Sequence, residues 1–513
     1  LRTCIDAGIC AEDVMSSLRS ISPDVLNLDE EKSNIVAKTV ADLIDLHHNH
    51  WNGIWCLILF DRIEAGCVKD IDLVAGNPPW VKWSHLPRQY AEFIKPICDR
   101  MDIFSDSVWV GGIQSDISTV VTYHALERFV RYGGKLAFLI TGTVFKNKSS
   151  QGFRRWRLHT DNGVEPMTVD TVEDYALLRP FEDATNWPTL LFIRRNGIQT
   201  EYPVRYKRYE NATLSQYADL RAMPVPGTDA GPWLVGTESD LRIWASLFNT
   251  SGNSVYRARK GVTTDANGIF FVSAQAASNP DLLHIVNDPG VGRRRDIDTV
   301  HAIVERDDIF PLLRGRDVKR FVASPQDSRG IIVPQRGMFG DEALPVRCPR
   351  LFRYLSRFRE ILGRRSSYHR FQQGRPFWSV WSTGEYTFSS YKVVWKEMSG
   401  NFFSAAYVGS CLFCDIDKMV IPDHKVYFVP LETEDEAAYL TAFLNAPVVS
   451  KAINAYSSAL SLGISVTDYL NIPSFDSSRA EMMELSCMAR RFNEGIIPTA
   501  EDEERLDVLV TSL

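Results

Sequence analysis

The run Ile71-Asp-Leu-Val-Ala-Gly, followed at once by Asn77-Pro78-Pro79-Trp80, constrains this chain more than any other feature. An aliphatic, β-branched run that stops at a glycine predicts a buried strand. The residues after it are then delivered to the strand's C-terminal edge, where open α/β sheets build their sites. Two consecutive prolines hold φ near about −65° and carry no N–H, so the loop is stiff and its carbonyls find no local donor. Asn77 adds a side-chain acceptor and Trp80 a broad flat face. Such a loop suits a planar ring that bears an amino group, with fixed acceptors taking the amino hydrogens while the ring stacks. An aromatic amine is a weak nucleophile because its lone pair is delocalised. Hydrogen bonds to fixed acceptors favour the tetrahedral, nucleophilic nitrogen, which is preorganised electrostatic catalysis. A plain strand-to-loop turn is the competing reading, because Asn-Pro is common in turns.

The flanking pattern favours the sheet. Residues 30 to 66 read as helical, with Ile35, Val36, Val40, Leu43 and Ile44 at three-to-four spacing. Residues 118 to 132 predict an amphipathic helix closed by Gly133-Gly134, and Lys135 to Thr141 a strand. Two more strands fit Thr171 to Leu177 and Thr189 to Arg194, which makes 70 to 196 part of a mostly parallel sheet. After Asn196-Gly197 the pattern changes to shorter strands and turns up to about Pro473, which predicts a separate α+β domain. A helix from Ser478 to Asn493 and a solvated acidic tail, Glu501 to Arg505, close the chain. The expected parts are therefore 1–196, 197–476 and 477–513, within the two or three domains that 513 residues allow.

Composition narrows the partners. No apolar run approaches the roughly 20 residues a bilayer requires, and Leu1-Arg-Thr-Cys is no secretory leader. The expectation is a cytoplasmic protein without a membrane partner. Cys411 and Cys414 lack a second pair at zinc spacing, and in His47-His48-Asn49-His50 adjacent residues point to different faces, so no metal site is expected. A net charge of −7 excludes a protein that coats nucleic acid everywhere, but it permits a local basic groove. From Arg347 to Arg375 there are nine arginines against one acid, Glu360, interleaved with Phe352, Tyr354, Phe358, Tyr368 and Phe371. That stretch is either a charged helix face or a surface for phosphates and bases. The candidates for DNA contact are Arg257, Arg259, Lys260, Arg314, Arg316, Arg364, Arg365 and Arg370.

Asp72-Leu-Val-Ala-Gly-Asn-Pro-Pro-Trp resembles the fourth motif of N6-adenine DNA methyltransferases, in particular the large single-chain enzymes of type II (type IIG-like) restriction-modification systems. The likeness extends to Trp51-Asn-Gly-Ile-Trp, Val81-Lys-Trp-Ser-His-Leu-Pro and Gly133-Gly-Lys-Leu-Ala-Phe-Leu-Ile-Thr-Gly-Thr-Val-Phe-Lys. Arg179-Pro-Phe-Glu-Asp-Ala-Thr resembles the eighth motif, whose Phe helps to hold a flipped base. Tyr256-Arg-Ala-Arg-Lys-Gly-Val, Phe310-Pro-Leu-Leu-Arg-Gly-Arg-Asp-Val, the segment around Trp395 and His424-Lys-Val-Tyr-Phe are similar to the family's target-recognition domain, so the resemblance covers roughly 50 to 476.

The resemblance implies an α/β fold: a partial Rossmann-like sheet of the S-adenosylmethionine-dependent kind, followed by an α+β target-recognition domain. It also implies methylation of adenine N6 in double-stranded DNA with S-adenosylmethionine as cofactor. Asn77, Pro78, Pro79, Trp80 and Phe181 would form the catalytic pocket, and Asp72 and Asn77 would touch the cofactor. Family members hold the cofactor by a glycine-rich loop and an acid upstream of the Asn-Pro-Pro motif, but the residues before Gly76 carry no Gly-x-Gly cluster. The expectation is a missing N-terminal segment that carries most of the cofactor site, with a nuclease domain as a further candidate partner. The alternatives are a non-catalytic DNA-binding specificity module and a protein glutamine N-methyltransferase. The latter also uses an Asn-Pro-Pro-aromatic loop but is usually compact.

Overall fold

The computed structural model describes residues 11–21, 29–49, 61, 64–104, 116–160, 163–178, 187–211, 213–248, 254–292, 296–371, 373–397, 402–457, 463 and 466–513. Helices α1 (Ala11–Ile21) and α2 (Glu30–His48) precede the first strand. The stretch expected to be helical from 30 to 66 is helical through His48 and again at 61 and 64–67, while 50–60 and 62–63 lie outside the described residues.

Strand β1 (Ile71–Gly76) is followed by helix α3 (Arg88–Arg100), helix α4 (Ile117–Arg128) and strand β2 (Val130–Thr141). Asp116 caps α4 by accepting from the Ser118 N–H at 2.9 Å. One face of α4, with Val120, Tyr123 and Leu126, is buried against the sheet core, and the Tyr123 hydroxyl donates to the Phe153 carbonyl. Alternate residues of β2, namely Leu136, Phe138 and Ile140, point into the same core.

After a hairpin of β3 (Arg157–Thr160) and β4 (Gly163–Pro166) come β5 (Thr168–Asp174), β6 (Pro188–Arg194), β7 (Val204–Tyr209), β8 (Tyr217–Pro224) and β9 (Trp233–Gly236). The sheet order is β1-β2-β6-β5-β7-β8-β9. Three expectations are corrected here. Only β1 with β2 and β5 with β7 pair in parallel, while the other four pairings are antiparallel, so the sheet is mixed rather than mostly parallel. Periodicity marks a strand but carries no sign of its direction. The sheet also runs on to Gly236, so no domain boundary falls at 196. Gly133 and Gly134 lie inside β2 rather than closing the helix, with Gly133 at φ +81°.

The remainder builds two further sheets. Helix α5 (Glu238–Trp244) leads into β10 (Arg259–Lys260), β11 (Phe271–Ala276), β12 (Leu282–Asn287), β13 (His301–Glu305), β14 (Ile309–Leu313), β15 (Phe321–Val322) and β16 (Arg329–Ile332). Helix α6 (Pro349–Ser356) precedes β17 (Tyr391–Lys396), β18 (Ala405–Val408), the β19–β20 hairpin (Ser410–Phe413, Ile416–Met419), β21 (Ile421–Pro422) and β22 (Val426–Leu431). One sheet has the order β13-β12-β11-β16-β14-β21 and the other β10-β22-β17-β18-β15. The first packs on α6 through Leu351, Tyr354 and Leu355, and the Tyr354 hydroxyl donates to the Ile269 carbonyl at 2.6 Å.

The second is covered by α7 (Glu434–Asn445), α8 (Pro447–Tyr456), α9 (Ala480–Asn493) and α10 (Ala500–Ser512). The expected acidic tail is thus the first turns of α10. Glu501, Asp502 and Glu503 lie at its positive end, Thr499 caps it, and Leu506, Leu509 and Val510 enter the core beneath. Residues 477–513 share one core with Leu234, Trp395 and Phe443, so they are no separate part. No helix among the described residues is long and apolar enough to cross a membrane.

Candidate active site

The Asn-Pro-Pro-Trp loop leaves β1 at the C-terminal edge of the sheet. Pro78 is buried, Asn77 and Pro79 are exposed and Trp80 is half-buried. The Trp80 indole N–H donates to the Leu139 carbonyl of β2 at 3.0 Å, which fixes the ring against the neighbouring strand. The Asn77 amide makes no hydrogen bond to another described residue. Beyond the loop the chain is pinned twice. The Val81 carbonyl accepts from the Ile117 N–H at 2.9 Å, and Trp83 packs edge-on against Phe104 at 5.2 Å. Phe181 lies outside the described residues, so its place opposite Trp80 is untested.

Two residues that the sequence did not single out border this edge. Trp187 donates its indole N–H to Asp174 Oδ1 at 2.5 Å, and its carbonyl accepts from the Gly142 N–H at 2.7 Å. Asp174 is fully buried at the end of β5 and also receives the Tyr206 hydroxyl at 2.9 Å, Arg208 Nε at 3.1 Å and the Ala176 N–H at 2.9 Å. Four donors satisfy that carboxylate, so Trp187 is held by a rigid anchor. The signal was Trp187 itself, six residues past Phe181 and directly ahead of β6.

The described residues do not build a cradle for an adenosine cofactor. A Cβ on Gly76 would meet the Phe138 ring at 3.2 Å, and one on Gly142 the Trp187 ring at 2.7 Å, so both glycines are closed over by aromatic rings. Asp72 lies at the start of β1, exposed, and its Oδ1 accepts from Arg131 Nε at 2.5 Å. It faces that arginine, several residues before the strand's C-terminal edge, which corrects its assignment to the cofactor. Among the described residues no cluster of His, Cys, Asp or Glu could hold a metal ion.

The basic candidates separate into two sets. Arg365 is 1% exposed and gives its guanidinium to the carbonyls of Leu362, Thr264 and Phe377 at 2.9, 2.8 and 2.6 Å, which corrects its assignment to DNA. Arg347, at the head of the same stretch, is tied to the buried carboxylate of Asp308 at 2.8 Å. Arg364 and Arg370 are exposed. Away from that stretch, Arg259 and Lys260 form β10, with Arg259 4.8 Å from the Tyr386 ring centre and Arg257 exposed beside them. Arg314 stands 5.7 Å from the Phe271 ring and 3.6 Å from the buried Asp423. Arg316 and Arg314 both lie close to Arg329, where burial, and then their charges, push the guanidinium pKa down. Lys260 and Lys425 act in the same way on His424, whose imidazole pKa is lowered first by burial.

No protein-family model matches the sequence, and no curated protein matches it either. Among solved structures, the type IIL restriction-modification enzyme MmeI, in complex with DNA, matches with a TM-score of 0.50 at 10% identity, over 86% of this chain and 54% of that one. The DrdV–DNA complex matches with a TM-score of 0.43 at 10% identity over 86% and 46% of the two chains. A nuclease-deletion mutant of the type ISP enzyme LlaGI, with a DNA substrate mimic, gives 0.42 at 10% over 83% and 35%. At such identity the likeness is one of fold: this mixed α/β chain shares its architecture with the MmeI enzyme and spans about half of that chain's length.

Proposed function

We propose that the chain transfers a methyl group to the N6 of adenine in a specific double-stranded DNA sequence, as part of a restriction-modification or related defence system. One observation carries the reading. At the C-terminal edge of a parallel-paired strand, an amide that no described residue engages stands beside a proline-stiffened loop and an indole tethered by its own N–H. Inside a duplex N6 is engaged in pairing, so the base must leave the stack before it can react. The Asn77 side chain and the Pro78 carbonyl accept the amino hydrogens and hold the nitrogen in its nucleophilic form. Trp80 covers one face of the ring and Phe181 the other. When bound, S-adenosylmethionine supplies an electrophilic methyl. Arg257, Arg259, Lys260, Arg314, Arg316, Arg364 and Arg370 contact the duplex.

Methyl transfer from labelled S-adenosylmethionine to plasmid DNA, followed by nucleoside analysis, tests this. The wild type should yield N6-methyladenine, and Asn77→Ala should lower the rate by about 10²- to 10³-fold, the loss typical of a preorganised polar partner. Label on protein glutamine, or equal rates for the two proteins, defeats the proposal. A second reading, a DNA-binding module without catalysis, is favoured by the closed glycines at the sheet edge. Calorimetry that finds DNA binding without S-adenosylmethionine binding selects it.

A further inference from the structure

Trp187 stands at the same sheet edge as Asn77 and has no part in the reading above. Strands β1, β2, β5 and β7 all end at that edge, because β1 pairs with β2 and β5 with β7 in parallel while β6 runs against both β2 and β5. Trp187 enters β6 there. Gly76 is level with Phe138 and Thr141 with Pro188, so Asn77 and Trp187 flank the end of β2 from opposite sides. The Trp187 ring leans over β2: a Cβ on Gly142 would lie 2.7 and 2.8 Å from its Cδ2 and Cε2. The residue is half-buried. Its N–H is spent on Asp174 Oδ1 at 2.5 Å, and that fully buried carboxylate is held in turn by Tyr206, Arg208 and the Ala176 N–H. Burying a carboxylate is costly. An indole N–H that only had to be satisfied could take a main-chain carbonyl, as that of Trp80 does. Here a charged anchor instead fixes the angle of a half-buried ring beside Asn77's edge.

The acceptors of the Asn-Pro-Pro loop cannot by themselves choose a base. Adenine and cytosine both present an exocyclic amino donor, so the Asn77 amide and the Pro78 carbonyl would grip either. What separates the two is how far the ring extends from that nitrogen. We propose that Trp187 is the specificity-determining residue for the acceptor ring, a wall at the far edge of the pocket that a purine reaches and a pyrimidine does not, and that Asp174 is its positioning residue. The spacing agrees. Asn77 and Trp187 belong to strands two steps apart in the sheet, about 10 Å, which leaves room for one flat ring between an amide and an indole. Trp80 and Phe181 then take the faces of that ring and Trp187 its edge.

This inference rests on the proposed methyl transfer to an extruded base, but its first test needs neither cofactor nor DNA. Saturation-transfer NMR of the whole chain with an equal mixture of deoxyadenosine and deoxycytidine reads both nucleosides in one tube. A variant that folds less well lowers the two signals together, so a merely structural role for Trp187 leaves their ratio where it is. The wild type should favour deoxyadenosine about three- to tenfold, the worth of one added aromatic contact. Trp187→Ala should bring the ratio near one. Trp187→Phe, which keeps a ring but frees Asp174, should fall between. An unchanged ratio in Trp187→Ala overturns the proposal, as does a wild type that fails to favour deoxyadenosine or binds neither nucleoside. A Trp187→Phe ratio equal to that of the wild type overturns the role of Asp174. Incubation of the wild type with labelled S-adenosylmethionine and genomic DNA separates this inference from the catalytic one. A nucleoside preference without any methylated base overturns methyl transfer alone, and N6-methyladenine from a chain without the preference overturns the role of Trp187 alone.

Discussion

The tether of its indole N–H shapes what Trp80 can do. With its N–H spent on the Leu139 carbonyl, the ring keeps one orientation, and a stacked base would meet a preformed wall. Trp80→Phe keeps an aromatic ring but loses the tether. The cost in stability should be about 1 kcal/mol, the typical net worth of one such bond. Methyl transfer should fall about tenfold or more from lost orientation. Single-turnover rates beside thermal melts check this, and an unchanged rate would strip the tether of any role.

Lys392 carries a different residue-level prediction. It is 1% exposed, donates to the Ser389 carbonyl at 2.8 Å, and burial pushes its pKa down to about 7. In the unfolded chain it titrates near its ordinary value, about 10.4. Between those values the unfolded state binds the extra proton, so this group makes stability rise with pH from about 7 to about 10. Lys392→Met should flatten that rise by a few kcal/mol, on the order of one pKa unit per 1.4 kcal/mol. Melting curves across that pH span read it out.

The same scale shows what a sequence can carry. The proline-stiffened loop was legible because its stiffness is covalent. The fate of each arginine was not, because Arg364 and Arg365 are neighbours in composition and differ only in which carbonyls the fold brings to them.

Elements were legible where one period dominates: α4, β2, β6 and α9 lie close to where the pattern puts them. Pairing direction was not, since Thr168–Asp174 looks alike beside an antiparallel β6 and a parallel β7. Nor was the close approach of β10 to the turn after β21. A Cβ on Gly261 would lie 2.1 Å from the Asp423 carbonyl oxygen, a backbone atom that cannot swing aside, whereas Gly363 has nothing within 4 Å. Gly261→Ala should therefore cost about 3 kcal/mol or more by forcing strands apart, and Gly363→Ala should be near neutral. Denaturant midpoints of the two variants compare them directly. Equal midpoints would mean that the β10 edge yields without cost, and that Arg259 and Lys260 are less firmly placed than their pairing with Phe428 and Tyr427 implies.

At the scale of the whole molecule, one buried cation, Lys146, joins the loop-bearing sheet to the C-terminal helices, and a second, Arg154, braces the turns beside it. Lys146 donates to the Trp233 carbonyl of β9 at 2.7 Å and to the Ala455 carbonyl of α8. Arg154, 1% exposed, gives its guanidinium to the carbonyls of Gly231, Val144 and Asn147 at 2.9, 2.5 and 2.7 Å. Burial drives the Lys146 pKa well down, opposed by the charge of Asp174, the carboxylate that anchors Trp187. The seam thus ties the sheet whose edge carries Asn77 to α8 and the core around it, and on the proposed reading a base extruded from a bound duplex reaches the loop only if that geometry holds. Lys146→Met removes the donor but keeps much of the volume, leaving two buried carbonyls unpaired at about 1–3 kcal/mol each. Calorimetry of the wild type should give one cooperative transition, and the variant two, as the halves uncouple. On the proposed reading, DNA affinity would belong to one half and should change little, while methyl transfer would need both and should fall steeply. A single shifted transition with both activities lost in step would make Lys146 a stability residue and nothing more.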